Sequence, residues 1–352
     1  MSIYAIWNNK GGVGKSYLTF QVACEYARQN PTKKVLVLDL CPQANSSSML
    51  LGGMIQGENR LNLIHSQSPR VTISGYLEDR IANPYNSPGT GATYLTRVAQ
   101  YNHYVPNNLF LVVGDEQLET QTSRVSNATR PGPQDAWRKV HLWIADLIED
   151  IFTSWNHQES CVFIDCNPSF SVYTELALSA AERLIIPFSA DGSSKRAVKA
   201  VLSLAYGVRR QQTDPLSEFV INNTQFRMRE PEVYMYIGNR LTQMNNSSAS
   251  AFKTVVDEIG DEIWNVWQTR PNVFCIHPNG SPTPTGKRTF KSMFQYEVND
   301  ANTASVVSGA LGIPIAVLSA TRHNVAGKSI SVNQTQLNKQ IPNIQALVRN
   351  IE

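Results

Sequence analysis

The sequence predicts an α/β fold in which helices flank both faces of a doubly wound, mostly parallel sheet. Short runs of Val, Ile, Leu and Phe recur along the 352 residues, and segments with helical character lie between them. The apolar runs are continuous rather than alternating, which is typical of parallel strands that are buried on both faces. A glycine-rich turn follows the first run and precedes the first helix, at the edge of the sheet where such folds bind ligands.

Eight strands are predicted from the apolar runs, at residues 3–7, 35–38, 109–113, 161–164, 184–188, 219–221, 273–276 and 315–318. Five helices are predicted at residues 15–29, 136–155, 193–211, 249–259 and 332–351. Two turn-rich stretches interrupt this alternation, and neither resembles a linker between independent cores. We therefore predict a single domain over residues 1–352, with surface insertions at 83–108 and within 230–303.

Composition indicates an ordinary globular protein that is mildly basic. The chain is 42% hydrophobic and 17% charged, with a formal net charge of +3, which does not by itself indicate a nucleic-acid partner. No signal peptide is recognisable, and no apolar stretch approaches the roughly 20 residues that span a bilayer. The spacing of the five cysteines fits neither a disulfide framework nor a zinc site, so we expect a reduced, cytoplasmic chain: Cys24, Cys41, Cys161, Cys166 and Cys275.

The glycine-rich turn has the composition of a phosphate-binding loop. Residues 9–16 read Asn-Lys-Gly-Gly-Val-Gly-Lys-Ser. Glycines let the backbone point several N–H groups at one phosphate, and the helix start adds its positive dipole end. Lys15 can reach the outer phosphates and the Ser16 hydroxyl can hold Mg²⁺, whereas a turn that only joins strand to helix needs neither. We predict that ATP and Mg²⁺ bind here, at Gly11, Gly12, Val13, Gly14, Lys15, Ser16 and Tyr17.

The first half of this loop departs from the usual nucleotide-binding pattern. Asn9 stands where that pattern has glycine, and Lys10 follows it. The loop matches the deviant Walker A motif K-G-G-x-G-K-[ST], and in this it resembles the ParA/MinD family of ATPases. The resemblance implies an ATP-bridged homodimer in which Lys10 reaches the partner's nucleotide. A solvated loop lysine is the alternative interpretation of Lys10.

Two carboxylates at the ends of apolar strands extend the resemblance. Asp39 opens the segment 39–45, Asp-Leu-Cys-Pro-Gln-Ala-Asn, which looks like the family's D-x-D-P-Q-x-N switch. Asp165 opens the segment 165–169, Asp-Cys-Asn-Pro-Ser, which looks like the Walker B segment D-x-x-P-S. We expect both to belong to the Mg²⁺ site with Ser16, Asp165 through a metal-bound water. Helix caps at the strand ends are the alternative.

Cys41 is the departure from the family pattern. The resemblance credits the second aspartate of the switch with positioning the attacking water, and here that position holds cysteine. A thiol with a reference pKa of about 8.5 is mostly neutral at pH 7 and cannot hold a water as a carboxylate does. We therefore expect slow ATP hydrolysis, unless Asp39 takes over. With Lys10 and Lys15, Asp39 completes the predicted catalytic set.

Base recognition is predicted from an amide pair. Asn222 and Asn223 follow the predicted strand 219–221, and the resemblance implies an adenine-contacting residue nearby. An amide side chain offers a donor and an acceptor to a base edge. A turn-forming asparagine pair is the alternative.

The resemblance also implies that the ATP-bound dimer binds duplex DNA without sequence preference. Basic side chains that could contact phosphates are Lys195, Arg196, Lys199, Arg227 and Arg229. A solvated helix face is the alternative for them. MinD relatives carry a basic C-terminal membrane helix, but segment 337–351 has few cations. We expect its apolar residues to pack in the core and expect no membrane contact.

These features predict a ParA-like ATPase in DNA or cargo partition, with a ParB-like adaptor or activator. The resemblance begins almost at residue 1, so no N-terminal helix-turn-helix is expected. A cytoplasmic location is expected, on the nucleoid if DNA binds. One alternative is a nucleotide-gated interaction module with slow or no hydrolysis in another machine, and another is membrane positioning.

Overall fold

The computed structural model describes residues 1–130, 132–241 and 246–352. Its centre is an eight-stranded sheet in the order β3-β4-β2-β5-β1-β6-β7-β8, and every pair is parallel except β3 with β4. The strands are β1 (Ser2–Ile6), β2 (Lys34–Leu40), β3 (Thr96–Arg97), β4 (Leu109–Val112), β5 (Ser160–Cys166), β6 (Arg183–Phe188), β7 (Glu232–Leu241) and β8 (Gln295–Asn299). A separate antiparallel pair consists of β9 (Arg322–Val325) and β10 (Lys328–Ser331).

Fourteen helices are described around the sheet within these ranges. They are α1 (Lys15–Gln29), α2 (Asn45–Leu50), α3 (Gly53–His65), α4 (Ile73–Ala82), α5 (Leu118–Ala128), α6 (Ala136–His141), α7 (Trp143–Ser154), α8 (Val172–Ala180), α9 (Ser194–Tyr206), α10 (Glu218–Phe226), α11 (Asn246–Thr269), α12 (Lys287–Phe294), α13 (Thr303–Leu311) and α14 (Gln334–Val348). Short 3₁₀ turns lie at Gly91–Tyr94, Val98–Gln100, Pro271–Val273 and Ile315–Val317.

An apolar core covers each face of the sheet. The strands therefore carry apolar side chains on both faces. Along β2, Val35 and Val37 pack into one core, whereas Leu36 and Leu38 pack into the other. This alternation follows from the two-residue period of a strand. The predicted mostly parallel, doubly wound sheet is therefore confirmed.

The C-terminal helix contributes to one of these cores. The apolar side chains of α14 at Ile344, Leu347 and Val348 are buried in this core, and Leu337 is buried in a separate, smaller cluster with residues of α13. These side chains are therefore not exposed on the protein surface, which agrees with the expectation that they pack in the core. Among the described residues, no helix has the length and apolar character needed to cross a bilayer.

Three of the predicted strands are wrong. Residues 219–221 lie in α10, where the Ser217 hydroxyl caps the helix by accepting a hydrogen bond from the Val220 backbone at 3.2 Å. Residues 273–276 form a 3₁₀ turn and a single bridge to β7, and residues 315–317 form another 3₁₀ turn. A short apolar run does not by itself distinguish a strand from a buried helical turn. For residues 219–221, the Ser217 cap favours the helix.

Three strands of the sheet lie where insertions were predicted: β3 within residues 83–108, and β7 and β8 within residues 230–303. Within residues 230–303, β7 pairs with β6 and β8 pairs with β7, so this segment extends the central sheet. Helix α1 matches its predicted bounds, whereas the predicted helix 136–155 is two helices, α6 and α7. Helix α9 ends at Tyr206, five residues before the predicted end at 211, because the next residue, Gly207, has a left-handed φ of 66°.

Candidate functional site

The turn between β1 and α1 has the backbone shape of a phosphate cradle. Gly12 and Gly14 have φ angles of 76° and 80°, in the left-handed region that glycine adopts most readily. Apart from the adjacent residues of the turn, no atom of the described residues lies within 4 Å of where a Cβ on Gly11 or Gly12 would stand, so this side of the turn faces open space. The backbone N–H groups therefore surround a space that a phosphate can enter.

Lys15 lies beneath this turn rather than in solvent. Its side chain is buried, and Nζ donates to the Lys10 carbonyl at 2.9 Å and towards the Asn8 carbonyl at 3.4 Å. Burial lowers the pKa of Lys15, although the nearby Asp165 opposes that shift. Two backbone carbonyl oxygens thus hold the Lys15 ammonium inside the turn. A bound anion can accept a further hydrogen bond from it.

A cavity of about 660 Å³ opens above the turn. Its walls come from the turn and the start of α1, from the segment after β2, from α2, from α3, from the end of β5 with the segment after it, and from α13. Every loop residue predicted to bind nucleotide lines this cavity except Lys10 and Val13: Gly11, Gly12, Gly14, Lys15, Ser16 and Tyr17. Val13 is fully buried beneath the turn.

Asp39 and Asp165 lie side by side near the carboxyl ends of two neighbouring strands. They are register partners on the parallel strands β2 and β5, and both are fully buried. Within the described ranges, neither oxygen of Asp165 accepts a hydrogen bond of normal geometry. Burial and the Asp39 charge raise the pKa of Asp165 to about 7, although the Ser16 and Ser46 hydroxyls lie close enough to favour its ionised form. A buried carboxylate without donors fits a cation beside it.

Asp39 is in the opposite situation, because both its oxygens are occupied. The Cys41 backbone N–H donates to Oδ1 at 3.1 Å, and the backbone N–H and hydroxyl of Ser47 donate to Oδ2 at 2.9 Å and 2.7 Å. Burial nevertheless raises the pKa of Asp39. Asp39 thus fixes the start of α2, and this bonding leaves it less suited than Asp165 to the predicted metal role.

Cys41 lies in the cavity wall as an inert thiol. It is 6% exposed, and burial, with the charges of Asp39 and Asp165, raises its pKa to about 12. A neutral thiol at this position can neither accept a proton from water nor attract a cation.

One carboxylate in the cavity wall could not be recognised from the sequence. Among the described lining residues, Glu58 of α3 is the only one with a carboxylate side chain. It is exposed and forms no ion pair with any described residue. Gly57 brings α3 against α2, because a Cβ there would lie 2.1 Å from the Ser48 carbonyl oxygen. Sequence could not identify Glu58, since its place depends on this helix contact.

The side chain of Lys10 points away from the cavity, towards the turn between β6 and α9. Nζ donates to Ser189 Oγ at 3.2 Å and to Ser194 Oγ at 3.3 Å, and it forms an ion pair with Asp191. Lys10 is therefore held by three oxygens of its own chain. It is not the freely solvated loop lysine of the alternative interpretation.

Asn239 is the amide that the structure brings to the phosphate loop. It is fully buried on β7, and its Nδ2 donates to the Val13 carbonyl at 2.9 Å and to the Gly14 carbonyl at 3.3 Å. Asn222 and Asn223, predicted to contact the base, instead lie in α10 and do not line the cavity. The prediction placed them after a strand that is a helix. The clue for Asn239 was its position near the end of a Val- and Tyr-rich run.

Three of the five cations predicted to contact DNA are paired with acids. Lys195 contacts Glu258 at 3.1 Å and Glu262 at 3.5 Å, and Lys199 contacts Glu262 at 2.8 Å, across the α9–α11 contact. Arg229 forms an ion pair with Glu182 at 3.3 Å.

The other two predicted cations are free for an outside partner. Arg196 and Arg227 are exposed and form no ion pair with a described residue. The five side chains therefore do not present one uniform basic surface.

Comparison with known proteins gives a family and a fold. A family model described as an AAA domain matches residues 1–217. The structure is similar to apo McdA of Cyanothece, with 14% identity over 98% of each chain and a TM-score of 0.57. It is also similar to the ATP complex of a Cyanothece McdA variant, with 14% identity over 100% of this chain and 98% of that one and a TM-score of 0.59. No curated protein matches the sequence.

Proposed function

The chain belongs to the AAA domain family, and from this premise we propose that it is a ParA/MinD-like P-loop ATPase that acts as an ATP-dependent dimerisation switch. In this proposal the chain binds ATP with Mg²⁺, pairs with a second copy around the nucleotide, and hydrolyses ATP slowly. Its output is the partition of DNA or another cargo, with duplex DNA as a track and a ParB-like protein as adaptor.

The observation that carries the proposal is the buried Asp165 carboxylate beside the phosphate cradle. Leaving a buried carboxylate without donors is unfavourable unless a cation approaches it. Ser16 lies close to it, and Lys15 is held in the adjoining turn. These residues fit Mg²⁺ and a nucleotide phosphate, with Ser16 and Asp165 holding the metal and Lys15 the phosphates. Bound Mg²⁺ supplies positive charge that neutralises the phosphate oxygens.

Asp39 supports the same site from behind. Because its oxygens bind Cys41 and Ser47, it orders the segment between β2 and α2 that forms one cavity wall. Cys41 supplies no base, so the chain lacks at that position the group that would orient water well. Slow turnover and a long-lived ATP dimer follow from the proposal.

The mass of the protein in solution tests the proposed dimer. Wild type should dimerise with ATP and Mg²⁺ but not with ADP, as measured by light scattering after size exclusion. Lys15→Ala should abolish ATP binding, because it removes the buried ammonium from the cradle. Lys10→Ala should still bind ATP but remain monomeric. Equal masses for wild type and Lys10→Ala in ATP would contradict the role of Lys10.

A nucleotide-gated interaction module is the second candidate, and two observations favour it. Cys41 is a neutral thiol, and Lys195, Lys199 and Arg229 already have acidic partners. Such a module would dimerise in ATP, recruit another protein and leave duplex DNA unbound. A duplex mobility shift at low salt, performed on the confirmed ATP dimer, separates the two candidates. Binding to liposomes would instead favour the membrane alternative, although the apolar residues of α14 are buried.

A further inference from the structure

Lys10 has its own binding site within the chain. The turn between β6 and α9 presents three oxygens to its ammonium, from Ser189, Asp191 and Ser194, and the lysine side chain is only 24% exposed. The Lys10 backbone carbonyl at the same time accepts the hydrogen bond from Lys15. One residue thus contributes its backbone to the phosphate cradle while its side chain is bound elsewhere.

Asp191 is fixed as firmly as Lys10. Its Oδ1 accepts hydrogen bonds from the Ser193 backbone at 3.0 Å and the Ser193 hydroxyl at 2.8 Å, and its Oδ2 accepts from the Ser189 hydroxyl at 2.7 Å. The turn leads directly into α9, whose amino end favours a negative charge. Although partial burial opposes it, hydrogen bonds from Lys10 and the serines hold the pKa of Asp191 well below its usual value. The carboxylate is therefore ionised at neutral pH.

The Lys10 ammonium cannot bind Asp191 of its own chain and the nucleotide of a second copy at the same time. If Lys10 reaches the nucleotide of a second copy, it must leave the three oxygens of its own turn. A symmetric dimer breaks two such ion pairs. An exposed ion pair of this kind changes an equilibrium by about fivefold, so two change it by about 25-fold.

We propose that Asp191 is a positioning residue that holds Lys10 on its own protomer and thereby opposes ATP-dependent dimerisation. This inference rests on the proposed function, because it concerns the lysine that the dimer uses. Asp191 sets the protein concentration at which the ATP state becomes a dimer. A rival role has the opposite sign: Asp191 could pre-orient Lys10 for the partner, and its removal would then weaken the dimer.

Sedimentation velocity over a range of protein concentrations in ATP and Mg²⁺ tests whether Asp191 opposes or favours dimerisation. Asp191→Asn should lower the dimer dissociation constant by about 5- to 25-fold, because the amide keeps the shape of the turn but loses the charge. Asp214→Asn is the matched control. Asp214 is another turn aspartate, and its Oδ2 accepts hydrogen bonds from the backbone N–H groups of Arg210 and Gln211, both at 3.1 Å. Because these bonds do not involve Lys10, the control should leave the dissociation constant unchanged.

A second readout separates release of Lys10 from a general loosening of the turn. Reductive methylation of Lys10, followed by mass spectrometry in the ADP state, should be faster in Asp191→Asn than in wild type. In a Lys10→Ala background, Asp191→Asn should bring no gain in dimerisation.

The possible outcomes distinguish this inference from the proposed function. If wild type dimerises in ATP and Asp191→Asn dimerises no better, the inference alone is wrong. If wild type remains monomeric and Asp191→Asn dimerises, the inference is supported in its strongest form. If both bind ATP and neither dimerises, the proposed dimer is wrong and the inference falls with it.

Discussion

Asp39 accepts two hydrogen bonds from Ser47, one from its backbone N–H at 2.9 Å and one from its hydroxyl at 2.7 Å. The same hydroxyl accepts a hydrogen bond from the Gly114 backbone N–H at 2.9 Å. Ser47 therefore joins the end of β2, the start of α2 and the segment after β4. This network places the switch segment against the sheet.

Replacing Ser47 should destabilise the protein measurably. Ser47→Ala removes a hydroxyl donor from a buried carboxylate, and such bonds to charged groups contribute about 1.5–3 kcal/mol to the free energy of unfolding. Urea unfolding monitored by circular dichroism measures the loss. Ser48→Ala on the same helix is the matched control, because, among the described residues, the Ser48 hydroxyl donates only to the neutral Gly53 carbonyl at 3.3 Å. Equal losses in the two variants would contradict the role given to Ser47.

The affinity for duplex DNA should fall when the lysines of the α9–α11 ion pairs are replaced and rise when their acidic partner is replaced. Replacing Lys195 and Lys199 by Gln should weaken binding in ATP and lower the slope of log affinity against log salt by about 0.9 for each lost phosphate contact. Glu262→Gln should strengthen binding, because Glu262 neutralises both lysines. Fluorescence anisotropy of a labelled duplex at several salt concentrations measures both effects.

Lys33→Gln serves as the control for charge alone. Lys33 pairs with Glu159 next to the start of β2, at the edge of the sheet opposite the phosphate loop. Should Lys33→Gln weaken DNA binding as much as the α9 variants, the effect would come from net charge and the predicted surface would be wrong.

The structural features around the candidate site whose positions were predicted correctly are those that local sequence determines. The loop at 9–16, helix α1 and the strand-end positions of Asp39 and Asp165 depend on glycine content, a helix start and apolar runs. A phosphate loop needs all of its residues within one short segment, so its pattern survives in the sequence. The neutral state of Cys41 followed from the chemistry of a thiol.

The parts that were missed depend on contacts between distant residues. Asn239 meets the loop 225 residues away in sequence, and Asp191 meets Lys10 across 181 residues. The strand at 219–221 was mistaken because its apolar run is equally suited to a helix, and the Ser217 cap selected the helix. The cations of α9 looked free because their acidic partners lie on α11, more than 60 residues later.

The stability of the ligand-free protein should depend on the titration of Asp165. Burial and the Asp39 charge raise its pKa to about 7, above the value of about 3.9 expected in the unfolded chain. The folded state therefore holds this proton more tightly, so the contribution of Asp165 to stability is greatest at low pH and falls as pH rises from about 4 to 7. The shift corresponds to at most about 4 kcal/mol.

Asp165→Asn isolates this effect. The variant should gain in free energy of unfolding relative to wild type as pH rises from 4.5 to 7.5, and the gain should level off above pH 7. Urea unfolding without nucleotide or Mg²⁺ measures it. A difference between the two proteins that stays constant over this range would mean that Asp165 is ionised throughout.

The rate of ATP hydrolysis should be limited by the residue at position 41. Cys41 lines the cavity as a neutral thiol with a pKa of about 12, and the two oxygens of Asp39 are occupied by Cys41 and Ser47. Cys41→Asp should raise steady-state phosphate release, by less than the roughly 10²-fold that a well-placed base contributes. The gain is limited because a third carboxylate beside Asp39 and Asp165 raises the pKa of all three.

Cys41→Asn is the matched control, since it has the shape of aspartate without its charge or basicity. If Cys41→Asn increases phosphate release as much as Cys41→Asp, the extra room and polarity matter and the carboxylate does not. If Cys41→Asp binds ATP and dimerises but hydrolyses no faster than wild type, another group orients the water. Asp191 and the Asn222–Asn223 pair are poor substitutes, because they lie outside the cavity wall.

Glu58 does line that wall, and Glu58→Gln should then lower the residual rate of ATP hydrolysis while ATP binding persists.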